Sequence, residues 1–170
     1  TVRALAARLE ALKSGRLDEA GYRAMIDTTV KLNRAGPDLA KLPGVHAMTD
    51  VTGFGLLGHL LEMCRGSGLG AHLRMSDVPL LDNVLALADD GVVTGASARN
   101  WMSYGSDVRL APHLEGAARA LLCDPQTSGG LLAGITPERA EACMVALHQQ
   151  GIAASIVGAV ESGPATLRMA

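Results

Sequence analysis

The stretch Gly44-Val-His-Ala-Met-Thr-Asp-Val-Thr-Gly-Phe-Gly-Leu-Leu-Gly-His-Leu-Leu-Glu-Met-Cys-Arg65 changes period in its middle. Residues 44–49 read as a short buried strand. From Gly53 to Arg65, Leu56, Leu57, Leu60, Leu61 and Cys64 recur at intervals of three and four, the signature of an amphipathic helix. A strand running into a helix through Asp50-Val-Thr-Gly-Phe-Gly55 is one unit of an α/β protein, and that unit sets the expectation for the rest.

Working outward, residues 1–34 carry helical spacing in two runs split near Ser14-Gly15, one with Leu5, Leu9 and Leu12, the other from Asp18 through Met25 to Leu32. After Gly66-Ser-Gly68, Ala71–Met75 reads as a strand and Leu80–Ala88 as a helix. Gly91–Leu110 shows no sustained period and is expected to be a long loop. Residues 113–121 read as a short helix, Leu121–Cys123 as a strand end and Gly129–Ile135 as a strand. Pro137, at the first helical position, opens a helix to about Gln150, stopped by Gly151. Ala154–Val160 and Ala165–Met169 are the last expected strands. The expected architecture is an α/β (α+β) sandwich: a mixed, mainly antiparallel sheet with helices packed on it, in a single domain over 1–170. Residues 1–34 would form a helical leader and 35–170 the core.

Composition narrows the function. The chain has 170 residues, 48% hydrophobic and 19% charged, with a formal net charge of -2. That is globular composition. Its Lys and Arg are scattered and its aromatics are Phe54, Trp101, Tyr22 and Tyr104, which argues against nucleic acid as a partner. No apolar run approaches the roughly 20 residues of a membrane helix. A soluble, cytoplasmic protein is expected. Cys64, Cys123 and Cys143, far apart among apolar neighbours, read as buried hydrophobes. None of the five histidines shows metal-ligand spacing. The start at Thr1, without an initiator methionine, fits a piece of something longer.

Chemistry concentrates in two segments. In Thr49–Gly55, Asp50 is a hard oxygen ligand suited to Mg²⁺, which takes one or two carboxylates plus substrate phosphate oxygens. Gly53 and Gly55 let the backbone approach a ligand, and the following helix offers free N–H groups to an anion. Thr52 supplies either a hydroxyl or the helix N-cap, and the whole segment also suits an ordinary capped turn. In Cys123–Gly130, Asp124, Thr127 and Ser128 suit either a phosphate-holding loop or a tight turn with Pro125 in its preferred position. Asn100, beside Arg99, is a third candidate.

Met48–Leu60 and Asp124-Pro-Gln-Thr-Ser-Gly-Gly-Leu-Leu132 resemble the signatures of selenide, water dikinases (selenophosphate synthetases), and Arg99-Asn-Trp-Met-Ser-Tyr-Gly105 is similar to a third segment of that family. The resemblance covers about residues 28–162 and implies the C-terminal domain of the aminoimidazole ribonucleotide synthetase-like fold. It implies conversion of ATP, selenide and water to selenophosphate, AMP and phosphate, with Mg²⁺ holding the triphosphate, in a homodimer. Asp50 matches the metal-binding aspartate that this domain contributes. Thr52, Gly53, Phe54 and Gly55 would line the phosphate approach, while Asn100, Asp124, Thr127 and Ser128 match family positions in the ATP-binding region. The family's nucleophile, a Lys and most metal carboxylates belong to an N-terminal domain absent here, so the isolated chain is expected to fold without turning over ATP. A non-catalytic binding or dimerisation module of the same fold is the alternative.

Overall fold

In the computed structural model, which describes residues 5–170, strand β1 (Val45–Asp50) runs through a tight turn into helix α4 (Gly55–Ser67). Before them lie α1 (Leu5–Lys13), α2 (Glu19–Thr29) and the short α3 (Gly36–Leu39). The expectations for residues 1–4, and for the Leu5 side chain, lie outside what is described. Helix α4 is the centre of the molecule: Gly55 to Leu61 and Cys64 are all buried, so its first two turns are covered on every side. Burying Leu56, Leu57, Leu60 and Leu61 contributes about 2 kcal/mol each. Gly68, at φ 66°, ends α4, its N–H turning back to the Arg65 and Cys64 carbonyls. The chain then enters β2 (Leu69–Leu73) at once.

The remaining elements are α5 (Val84–Asp89), α6 (Gly95–Tyr104), β3 (Val108–Leu110), α7 (Ala117–Leu122), β4 (Leu131–Ile135), α8 (Pro137–Gln149), β5 (Gly158–Ser162) and β6 (Leu167–Met169). The strands form two sheets. One is an antiparallel ribbon of β1 and β4, with Asp50 opposite Leu131. The other has the order β3-β6-β2-β5, antiparallel between β2 and β5 and parallel at β6. The antiparallel ladders are the longer ones, so the mixed, mainly antiparallel α/β expectation holds, divided between two sheets. The main core joins α4 to Leu73, Val108, Leu167 and Met169 of the larger sheet and to Leu122 and Cys123. A second cluster of Ala7, Val84, Ala88 and Leu121 packs α1 onto α5 and α7. The buried Arg8 adds hydrogen bonds to the Gly21 and Asp82 carbonyls.

Several expectations are corrected. Gly91–Leu110 is not a loop: Thr94 caps α6, its hydroxyl accepting from the Ser97 N–H, and β3 follows. The buried face of α6 is made of Ser97, Tyr104 and the half-buried Asn100 and Trp101, so no apolar period marks it. Leu121–Cys123 is the end of α7 rather than a strand. Gly116, at φ 83°, separates α7 from a 3-10 turn at Pro112–Leu114. Helix α5 starts at Val84, after Asn83 at φ 63° breaks the chain direction. Strand β5 lies later than expected because Gly158 fits against Leu73, where a side chain would collide with the His72 carbonyl. Cys64, Cys123 and Cys143 are free and buried, as read.

Candidate functional site

The turn between β1 and α4 and the loop after α7 are pressed together by backbone contacts. The Val51 N–H donates to the Gly130 carbonyl at 2.9 Å, and the Gln126 N–H donates to the Thr52 carbonyl at 2.8 Å. A Cβ on Gly129 would lie 1.6 Å from the Val51 carbonyl oxygen, and one on Gly55, at φ 69°, 2.6 Å from the Cys123 carbonyl carbon. Only glycine permits these approaches. The Asn100 carboxamide on α6 completes the junction, donating to the Gly53 and Cys123 carbonyls at 2.9 Å each. The Tyr104 hydroxyl donates to the Phe54 carbonyl at 2.7 Å, and burial pushes that phenol upward. Asn33, between α2 and α3, donates to the Gly129 carbonyl at 2.9 Å.

Asp50, at the end of β1, is exposed. Among the described residues, no group of three or more His, Cys, Asp or Glu is arranged to hold a metal ion. A single strand-end carboxylate fits Mg²⁺ as one contributed ligand beside substrate oxygens, and not as a complete site. Phe54, four residues further along the chain, is 49% exposed.

Thr52 is tied inward. Its hydroxyl lies 3.0 Å from Nε2 of His59, whose Nδ1 lies 3.0 Å from a Glu62 carboxylate oxygen. His59 is 8% exposed and its ring is tilted against that of Phe54, centroids 5.7 Å apart.

Asp124 is 1% exposed. Its Oδ1 accepts from the hydroxyls of Thr94 and Ser97 at 3.2 Å each, at the start of α6. Burial raises its carboxyl to about 6, against the pull of those hydroxyls and of the Ala7 backbone amide in α1. Oδ2 closes no hydrogen bond among the described residues. Thr127 and Ser128 are exposed on the loop beyond, Ser128 at φ 53°.

The structure therefore brings Thr52, Gly53, Phe54, Gly55, Asn100 and the 123–130 loop into one wall. It separates Asp124 from solvent and spends the Asn100 amide on main-chain carbonyls. His59, Glu62, Tyr104, Asn33, Thr94 and Ser97 were not singled out as site residues from sequence. The His59–Glu62 spacing of three, one helical turn, was the available signal for that pair.

A family model described as AIR synthase related protein, C-terminal domain, matches residues 2–168. The chain is 54% identical over 154 residues to a protein named selenide, water dikinase from Pseudomonas straminea, covering 90% of this chain and 43% of that protein. It is 52% identical over 161 residues to one of the same name from Burkholderia ambifaria, covering 94% and 46%. The chain thus spans less than half the length of these relatives. Thiamine-monophosphate kinase from Stenotrophomonas maltophilia superposes with a TM-score of 0.64 at 16% identity, over 98% of this chain and 46% of that one. Hydrogenase maturation protein HypE in complex with ATP does so with a TM-score of 0.53 at 21% identity, over 84% and 37%. At such identities the likeness is one of fold. By the match that runs almost from end to end, the chain belongs to the AIR synthase related protein, C-terminal domain family.

Proposed function

We propose that this chain is the C-terminal part of a selenide, water dikinase, which converts ATP, selenide and water to selenophosphate, AMP and phosphate. The observation that carries the reading is identity above 50% over nine-tenths of the chain to proteins of that name. It favours the enzyme over a non-catalytic module. In this reading residues 1–34 and 35–170 act as one domain, and the protein is a cytoplasmic homodimer. No helix among the described residues is long and apolar enough to cross a membrane.

In this reading Asp50 contributes one oxygen ligand to Mg²⁺, which neutralises charge on the triphosphate when bound. Thr52 to Gly55 offer a hydroxyl, close backbone and the start of α4 to phosphate oxygens. Phe54 covers the approach, and Thr127 and Ser128 face it from the neighbouring loop. Asn100 holds the turn and loop together and Asp124 anchors the loop from beneath; both act through position rather than by touching ligand.

The test is AMP formation from ATP by the full-length protein. Turnover that depends on selenide and is lost in Asp50→Ala supports the reading. Turnover without selenide, or unchanged in that variant, sinks it. The isolated chain is expected to be folded and inactive.

A further inference from the structure

We propose that Arg34 is a phosphate-binding residue of this site, its guanidinium taking oxygens of a metal-bound polyphosphate while Asp50, on the same face of the β1–β4 ribbon, meets the metal. This rests on the reading of Asp50 as a metal ligand beside the phosphate approach. Arg34 stands at the corner of a tight turn between α2 and α3, closed by the Gly36 N–H donating to the Asn33 carbonyl at 3.1 Å. Both ends of that turn are fixed to the site. At one end, the Asn33 carboxamide donates to the Gly129 carbonyl at 2.9 Å. At the other, Gly36 is buried against the ribbon, where a Cβ would lie 3.3 Å from Leu131 Cδ1 and 3.9 Å from Met48 Cε.

Strand register then decides the side of the ribbon on which Arg34 sits. Side chains alternate along a strand, and residues directly opposite one another share a face. Asp50 is opposite Leu131 and lies two residues after Met48, so all three belong to one face. Gly36 packs on Leu131 and Met48, and the turn that carries Arg34 therefore covers the face that carries Asp50.

Arg34 and Asp50 are both exposed, and neither forms an ion pair among the described residues. Of the other cations at this ribbon, Lys41 lies 3.7 Å from Asp38, and Arg139 sits at the far end of β1, against Gly44. A bare phosphate meets repulsion from the Asp50 carboxylate. A polyphosphate that carries its own divalent cation satisfies both groups, the carboxylate through the metal and the planar guanidinium fork through two phosphate oxygens. The ligand class is thus a metal-complexed di- or triphosphate. The turn is anchored through Asn33 and Gly36, so replacing the Arg34 side chain leaves the backbone in place.

The experiment is calorimetric titration of the full-length protein with inorganic tripolyphosphate in the presence of Mg²⁺. Arg34→Gln is expected to weaken binding by about tenfold or more. Arg34→Lys recovers part of the loss, because the charge is kept and the fork is not. Arg109→Gln, which removes an exposed cation from β3 in the other sheet, leaves the affinity unchanged. If Asp50→Ala loses binding while Arg34→Gln keeps it, the inference is overturned and the site reading stands. Equal weakening in Arg34→Gln and Arg109→Gln reports only overall charge and overturns the inference as well. Binding unchanged in Asp50→Ala overturns both.

Discussion

Asp50 and Asp124 sit in segments of similar make-up, each beside glycines and hydroxyl side chains, and the fold treats them in opposite ways. Asp50 ends a strand of the half-buried β1–β4 ribbon, open to solvent. Asp124 is enclosed where the starts of α1 and α6 meet the end of α7. Burial takes the Asp124 carboxyl out of a ligand's reach, and the Thr94 and Ser97 hydroxyls occupy its Oδ1 while Oδ2 stays enclosed. An exposed carboxylate keeps its lone pairs for a ligand. The difference teaches that an acidic residue in a glycine-rich motif is ligand-facing or structural according to what surrounds it, which spacing does not report.

The sharpest way to break this comparison is to separate the two segments. Gly129→Ala puts a methyl group into the Val51 carbonyl, backbone against backbone. We expect a loss on the order of 4 kcal/mol or more in urea unfolding; a loss below about 1 kcal/mol would mean that the turn and loop are not pressed together in solution.

Next in size is the pH response of Asp124. Its folded carboxyl titrates at about 6 against the ordinary 3.8. Between roughly pH 4 and 6 the folded chain keeps a proton that the unfolded chain has lost, so this group's contribution to stability falls as pH rises through that window. The full penalty, at most about 3 kcal/mol, is present above it. Unfolding free energies measured across the window should converge with those of Asp124→Asn at the acid end and fall below them at the neutral end. Parallel curves would place Asp124 in the same class as Asp50.

Asn100→Ala leaves the Gly53 and Cys123 carbonyls without their partner, at about 2 kcal/mol. Crystallography or amide exchange should show the Gly53 turn loosened. An unchanged turn would remove Asn100 from its positioning role. The smallest effect belongs to Asp50→Asn, within about 0.5 kcal/mol on stability, while in the full-length protein the proposed selenide-dependent turnover should be lost. A large stability loss there would mean that Asp50 too is structural.

The strand–turn–helix unit of β1 and α4, the β4 strand and helix α8 were legible because period, glycine and proline agreed along each of them. The α6 helix was not. Its inward face carries Ser97, Asn100 and Tyr104, residues that bond the loop and turn rather than pack as hydrocarbon, so its signal lay in a capping threonine instead of a stripe. The site was legible as two motifs. The role of Asn100 was hidden because a side-chain amide bonded to carbonyls from two distant segments leaves no local pattern, and His59 reads alone as one polar residue on a greasy helix.

The junction that holds these motifs also orders events during synthesis. The hydrogen bond from Asn33 to Gly129 spans 96 positions, and that from Asn100 to Gly53 spans 47. At ordinary translation rates the Val51–Gly55 turn leaves the ribosome on the order of ten seconds before the Cys123–Gly130 loop that backs it. Helix α4, whose first two turns are covered on every side in the finished molecule, spends that interval with apolar surface uncovered. The nascent chain is therefore most open to chaperones and to misassociation between the emergence of α4 and that of the loop, and acquires its ligand wall only when just over three-quarters of this sequence has been made.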